Sequence, residues 1–229
     1  MPPSANVLIV CGLKREAAIL AGDGRATVCG DASTLRARLA EAALRPSLVI
    51  SWGLCGGLDP RLRPGDLILG AEVVSDEGAL RTDETVTSSL ARHLTRAGTH
   101  VVTDRLAAAG APVLTARAKA ELRRATGAAG VDMESLIAGR FALKQQTVFV
   151  ILRAVADPAE RDLPPVVSKA VDSGGGIDFG ALLGGLIRSP GQLAGLGAAA
   201  RDSRAAFQAL KRCRRLLPGL CLGLGVADL

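Results

Sequence analysis

SLVISW, Ser47 to Trp52, running into Gly53-Leu54-Cys55-Gly56-Gly57, is the stretch on which the fold turns. Its β-branched and apolar residues are too few for a helix and are bounded by Pro46 and Gly53, which predicts a buried strand emptying into a glycine-rich loop. Pro64-Gly65-Asp66 then turns the chain into another strand over Leu67 to Val74. On the N-terminal side, NVLIVC (Asn6 to Cys11), ended by Gly12, predicts a further buried strand, with a short one over Ala26 to Cys29. Between that strand and SLVISW lies a helix, with Ser33 as N-cap, Leu35, Leu39, Ala42 and Ala43 at helical spacing, and Arg45-Pro46 as its stop. Strand, helix and strand in this order imply parallel pairing.

The rest of the chain repeats the alternation. A strand is expected over His100 to Thr103, a helix over Thr115 to Arg124, and a strand over Gly130 to Met133 that stops at Glu134. A helix over Ser135 to Lys144 leads into TVFVILRAV, Thr147 to Val155. The fold class is therefore α/β, with ligands expected outside the carboxyl ends of the strands. Glu16, Gly53 to Gly57, Glu134 and Asp157 would then share one rim. The catalytic core is assigned to residues 1–176, and residues 177–229 to a helical, basic extension of the same domain beginning after Ser173-Gly174-Gly175-Gly176.

Composition narrows the function classes. Of the 229 residues 48% are hydrophobic, enough for one sizeable core. Arg188, Arg201, Arg204, Lys211, Arg212, Arg214 and Arg215, opposed only by Asp202, account for the whole net charge of +6. With no tyrosine and one tryptophan the chain lacks the stacking surfaces of a nucleic-acid binder. The scattered cysteines Cys11, Cys29, Cys55, Cys213 and Cys221 fit reduced thiols, and His93 and His100 form no metal-ligand pattern, so no metal or cofactor is expected. Lys14, Arg15 and Glu16 interrupt the first apolar run, which argues against a signal peptide and for a cytoplasmic protein.

Taken singly, the acids are ambiguous. Glu16 and Glu134 each read as an acid favoured at a helix start, and Asp157 as the cap of a helix opened by Pro158. Four segments in register change this. IVCGLKREA from Ile9, SWGLCGGLDPRLRPGDLIL from Ser51, VDMES from Val131 and LRAVADPAE from Leu152 together resemble the methylthioadenosine/S-adenosylhomocysteine nucleosidases of the nucleoside phosphorylase superfamily, with the hopanoid-associated phosphorylases as the most similar branch.

The resemblance implies a three-layer sandwich around a mixed, mostly parallel sheet, an N-glycosidic bond as target and a homo-oligomer. It makes Asp157 the acid that protonates the departing purine, Glu16 the carboxylate that deprotonates the attacking water, and Glu134 the ribose clamp with Met133 packed beside it. Gly53, Leu54, Cys55 and Gly56 would bring backbone close to the sugar, with Leu106 and Arg153 as further substrate-binding residues. A purine nucleoside is the implied substrate, adenosylhopane in particular, with phosphorolysis or non-catalytic nucleoside binding as alternatives. Three positions depart from the family pattern: Ala156 replaces a serine before the acid, Leu54 replaces a serine used toward phosphate, and Asp104 to Ala108 contain no aromatic ring.

Ala199 to Leu217 has Phe207, Leu210 and Leu217 at helical spacing among basic residues. This predicts a basic amphipathic helix, placed either on an anionic membrane surface or against the protein's own core. The apolar Leu216 to Leu229 is too short and glycine-rich to span a bilayer.

Overall fold

The computed structural model describes residues 6–21, 25–164 and 193–223. Eight strands are present: β1 (Val7–Cys11), β2 (Ala26–Cys29), β3 (Leu48–Gly57), β4 (Leu67–Ser75), β5 (Gly78–Arg81), β6 (Val101–Ala108), β7 (Gly130–Asp132) and β8 (Val148–Asp157). The helices are α1 (Lys14–Ile19), α2 (Ala32–Glu41), α3 (Glu84–Arg96), α4 (Ala116–Thr126), α5 (Ser135–Gln145) and α6 (Leu193–Gly223). The strands form one mixed sheet in the order β2-β1-β3-β7-β6-β4-β5, and β8 pairs with both β3 and β4. Since β3, β8, β4, β6 and β7 are each paired to the next and β7 returns to β3, this part of the sheet closes on itself, with β1 and β2 continuing from β3.

Successive strand residues face opposite sides, so the sheet feeds two cores. Ile9, Ile50, Trp52, Val150 and Leu152 pack with Leu90 and Leu94 of α3 and with Phe207, Leu210 and Cys213 of α6. Leu8, Val10, Val49, Phe149 and Ile151 pack on the other side with Leu35 and Leu39 of α2 and Ile137 and Phe141 of α5. These are the outer layers of an α/β sandwich, as expected. Phe207 and Leu210 of the expected apolar stripe are thereby used in the protein's own interior, the Leu217 side chain lying outside the described residues, while Arg201, Arg204, Lys211, Arg212 and Arg215 are exposed.

Several local expectations are corrected. The glycine stretch is not a loop: β3 continues to Gly57, pairing Gly53 with Arg153 and, after a bulge, Gly56 with Asp157, and pairing antiparallel with β7. Its glycines persist in a strand because neighbouring side chains occupy the space their own would fill. Likewise β6 runs on to Ala108, held beside β4 and by an ion pair of 2.6 Å between Arg105 and Glu72. Asp31, not Ser33, caps α2: its side chain accepts from the Thr34 amide at 2.8 Å, and the helix starts two residues earlier. Asp157 caps no helix, because residues 158–164 form none. The hairpin strand β5 and the amphipathic α3, capped by Asp83, are further elements.

Candidate active site

At the end of β1 the chain turns at Gly12 into α1, whose first amides have no partner within the helix. Glu16, the third helical residue, folds back over them. Its Oε2 accepts from the Gly12 and Leu13 amides at 3.0 and 2.8 Å, and its Oε1 accepts from the Leu54 amide at 2.8 Å. The carboxyl is buried, and burial raises its pKa against the opposing pull of Arg153 and these amides.

Arg153, on β8 and fully buried, is the hub of this end. Its Nε lies 2.6 Å from Asp132 Oδ2 and its Nη1 3.1 Å from Glu134 Oε2. Nη2 donates to Ser51 Oγ at 2.6 Å, and Ser51 and Ser135 share a hydrogen bond of 3.0 Å. Asp132 also takes the Ser135 amide at 3.1 Å and its hydroxyl, so the turn from β7 into α5 is tied to Arg153. Glu134 stands half-buried above this network, its pKa pushed up to about 8 by burial and by the charges of Asp132 and Glu16, with Arg153 pulling the other way.

Two glycines make room. A Cβ on Gly12 would fall 2.6 Å from Glu134 Oε1, and one on Gly53 would fall 2.6 Å from Glu16 Oε1 and 2.7 Å from Arg153 Nη1. Glu16, Glu134 and Arg153 thus meet around Gly12 and Gly53.

Asp157 ends β8, buried beside Gly56, whose Cβ would lie 3.5 Å from both of its carboxylate oxygens. Oδ2 is paired with the ammonium of Lys119 on α4, which also donates to the carbonyls of Pro158 and Arg161 at 2.9 and 3.0 Å. Burial raises the Asp157 pKa and the Lys119 charge opposes the rise. Gly53 and Gly56 are three residues apart on β3, roughly 10 Å, so Glu16 and Asp157 stand at two points along the same strand. Leu54 and Gly56, between them, are half-buried, as is Met133 beside Glu134.

Two expected binding residues fall elsewhere. Leu106 is fully buried among the α2 and α5 core residues, so it presents no surface to a base. The Cys55 side chain lies in the same core, leaving only its backbone at the site. Phe141 and Phe149 are core residues as well. Lys119 went unforeseen, although its position carries a signal: Lys119, Leu122, Arg123 and Thr126, at i, i+3, i+4 and i+7, form the less exposed face of α4. Ser51, Asp132 and Ser135 are the other additions, each inside a motif already singled out for its neighbours.

Buried carboxyl groups set along a glycine-floored strand of an α/β sandwich fit an enzyme that cleaves a glycosidic bond by hydrolysis or phosphorolysis. The model of the phosphorylase superfamily matches residues 2–173, and the chain belongs to that superfamily. Among solved structures it is similar to the 5′-methylthioadenosine/S-adenosylhomocysteine nucleosidase of Campylobacter jejuni, at 12% identity and a TM-score of 0.68, covering 95% of this chain and 98% of that one. The futalosine hydrolase of Helicobacter pylori is similar at 12% identity and a TM-score of 0.67, with 95% and 97% covered. The Neisseria meningitidis 5′-methylthioadenosine/S-adenosylhomocysteine nucleosidase, in complex with methylthio-immucillin-A, is similar at 17% identity and a TM-score of 0.62, with 94% and 99% covered. No curated protein matches the sequence.

Proposed function

We propose that this protein is a nucleosidase that releases adenine from an adenosine derivative by hydrolysis. The observation that carries this reading is the pair of buried carboxyls, Glu16 beside Gly53 and Asp157 beside Gly56 along β3, with Glu134 beside the first. Cleavage leaves positive charge on the sugar ring and sends the electron pair of the C1′–N9 bond into the base. Asp157, whose pKa burial raises against the pull of Lys119, is the acid that gives its proton to the purine N7. Water adds to C1′ and loses a proton to Glu16, whose ionised form the three amides and Arg153 favour. Glu134 accepts hydrogen bonds from the ribose hydroxyls, with Met133 packed on the sugar.

That the similar structures include a nucleosidase and a futalosine hydrolase supports hydrolysis of a nucleoside. Leu54, in place of a hydroxyl near the nucleophile, favours water over phosphate. Adenine release from adenosine derivatives, followed with and without phosphate, tests the reading: release without phosphate is expected, and strict phosphate dependence overturns it. An inactive parent that binds purine nucleoside as well as Asp157→Asn does would make the protein a binding module instead.

The finer form of the proposal is that the substrate is adenosylhopane, met by a homo-oligomer at an anionic membrane surface. The exposed basic residues of α6 support such contact, each contributing about 1 kcal/mol beside anionic headgroups. Because Phe207, Leu210 and Cys213 of α6 are buried, its exposed charges carry that contact among the described residues. Loss of vesicle co-sedimentation in 0.5 M salt, at about 4 Å screening length, is expected; sedimentation indifferent to salt, or absent, rejects it. A panel of 5′-substituted adenosines and sedimentation velocity test the other two parts.

A further inference from the structure

Lys119 is a fully buried lysine on α4, a helix whose other residues are more exposed. A buried ammonium is costly unless all its hydrogens are bonded. Here there are three acceptors for three hydrogens: Asp157 Oδ2 and the carbonyls of Pro158 and Arg161. These bonds tie the end of β8 and the turn after it to α4. Ala156, directly before Asp157, has no side-chain donor. Among the described residues none donates to Asp157 Oδ1, which faces Gly56.

We infer that Lys119 is a positioning residue: its buried ammonium fixes one oxygen of Asp157 and the turn that follows, leaving the other oxygen to meet the base. The inference rests on the nucleosidase reading of Asp157. It assigns Lys119 an electrostatic part as well. When the C1′–N9 pair moves into the base and the Asp157 proton passes to the base nitrogen, a carboxylate forms beside an ammonium already in place, so no group has to reorient to meet the new charge. Burial raises the Asp157 pKa and the ammonium opposes the rise, so the strength of this acid is set by the two together.

The groups that bear on Asp157 are Lys119 from α4, Arg161 from the turn, Asp202 from α6 and the Cys55 thiol from β3. Of these, Lys119 lowers its pKa the most. The general acid must carry its proton, so activity falls as pH rises through the Asp157 pKa. Removing the ammonium raises that pKa and moves the alkaline limb of kcat/KM upward.

The test compares Lys119→Met and Lys119→Gln with the parent in full pH profiles, with thermal melting to establish folding. For Lys119→Met, kcat is expected to fall at least about tenfold with KM within about twofold, and the alkaline limb to rise by about one pH unit or more. Lys119→Gln keeps a donor without the charge, so it recovers part of kcat while the limb stays shifted; it also stands in if the methionine variant does not fold. In parallel, the Asp157 carboxyl is titrated by carbon NMR, its signal identified by loss in Asp157→Asn, a readout that needs no substrate. A folded variant with the parent's kcat and alkaline limb overturns the inference. An upward-shifted carboxyl titration in a protein that cleaves no nucleoside overturns the nucleosidase reading instead, and leaves the ion pair as structure alone.

Discussion

The Glu16 end of the site and the Asp157 end hold the same chemical group by opposite means. Glu16 is gripped by main chain, with amides of Gly12, Leu13 and Leu54 on its two oxygens. Asp157 is gripped by one side chain, Lys119, 38 residues away in sequence. The first arrangement follows from where a strand ends and a helix starts, and it tolerates changes of side chain wherever space is kept. The second depends on the identity of a single residue. What the two ends share is burial, which raises both carboxyl pKa values and leaves the surrounding donors and charges to pull them down to different degrees.

The comparison breaks most completely if Arg153 is removed, because it is the one charge that balances Asp132, Glu134 and Glu16 together. Arg153→Met leaves Asp132 buried without its counter-ion, a loss on the order of 3–5 kcal/mol, which is a large part of the stability of a typical domain. Chemical denaturation should show a lowered midpoint with turnover lost at the same time. A variant as stable as the parent would mean that water reaches this network in solution.

Glu16→Gln is the next largest effect. The glutamine carbonyl replaces only one of two acceptor oxygens, so its NH2 is set against a backbone amide and a buried donor loses its bond, at about 1–3 kcal/mol. With the base gone as well, kcat/KM should fall by about 10²–10⁴. Retained turnover in a folded variant would move the base elsewhere.

The contrast between the two ends also explains what could be read from sequence. Glu16 was legible because strand, glycine, helix start and acid are consecutive, and Asp157 because it closes the longest apolar run. The alternation of strands and helices likewise rests on local periodicity. The ring closed by β3, β8, β4, β6 and β7 does not, since it is written in pairings between distant segments. For the same reason Gly53 to Gly57 read as a loop: glycine weakens a strand locally, and what keeps it here is the approach of Glu16, Arg153 and Asp157. Leu106 reads as a loop residue because Asp104 to Ala108, a mixture of polar and apolar residues, has no strand periodicity of its own, yet it is the second half of β6. Lys119 needed the stripe of α4 to be read as inward-facing in spite of its charge.

A smaller effect sharpens the first end. Glu134 has its pKa at about 8 in the folded protein against an ordinary 4.5, so the native state binds the proton more tightly than the unfolded chain. Stability from this group is complete below the unfolded value and is lost as pH rises through the folded one. The Tm is therefore expected to fall between about pH 5 and pH 8, and Glu134→Gln should flatten that slope. A ribose mimic carrying a cationic ring nitrogen should pull the titration downward, since its charge favours the ionised clamp. An unchanged slope in Glu134→Gln would assign it to another carboxyl.

The smallest effect is the most telling for the comparison. Leu54 sits between the two carboxyls, yet its bond to Glu16 Oε1 comes from its backbone amide, and its half-buried side chain packs toward the α3 and α6 core. In Leu54→Ser that amide keeps its place, because Leu54 is paired with Ala154 of β8 and β3 is held just beyond it by the pairing of Gly56 and Gly57 with β7. Stability should drop by about 1–2 kcal/mol for the lost apolar contact, while kcat/KM for hydrolysis stays within about threefold of the parent. A fall of more than tenfold would mean that the side chain shapes the water's site, and that the Glu16 end depends on residue identity as much as the Asp157 end does.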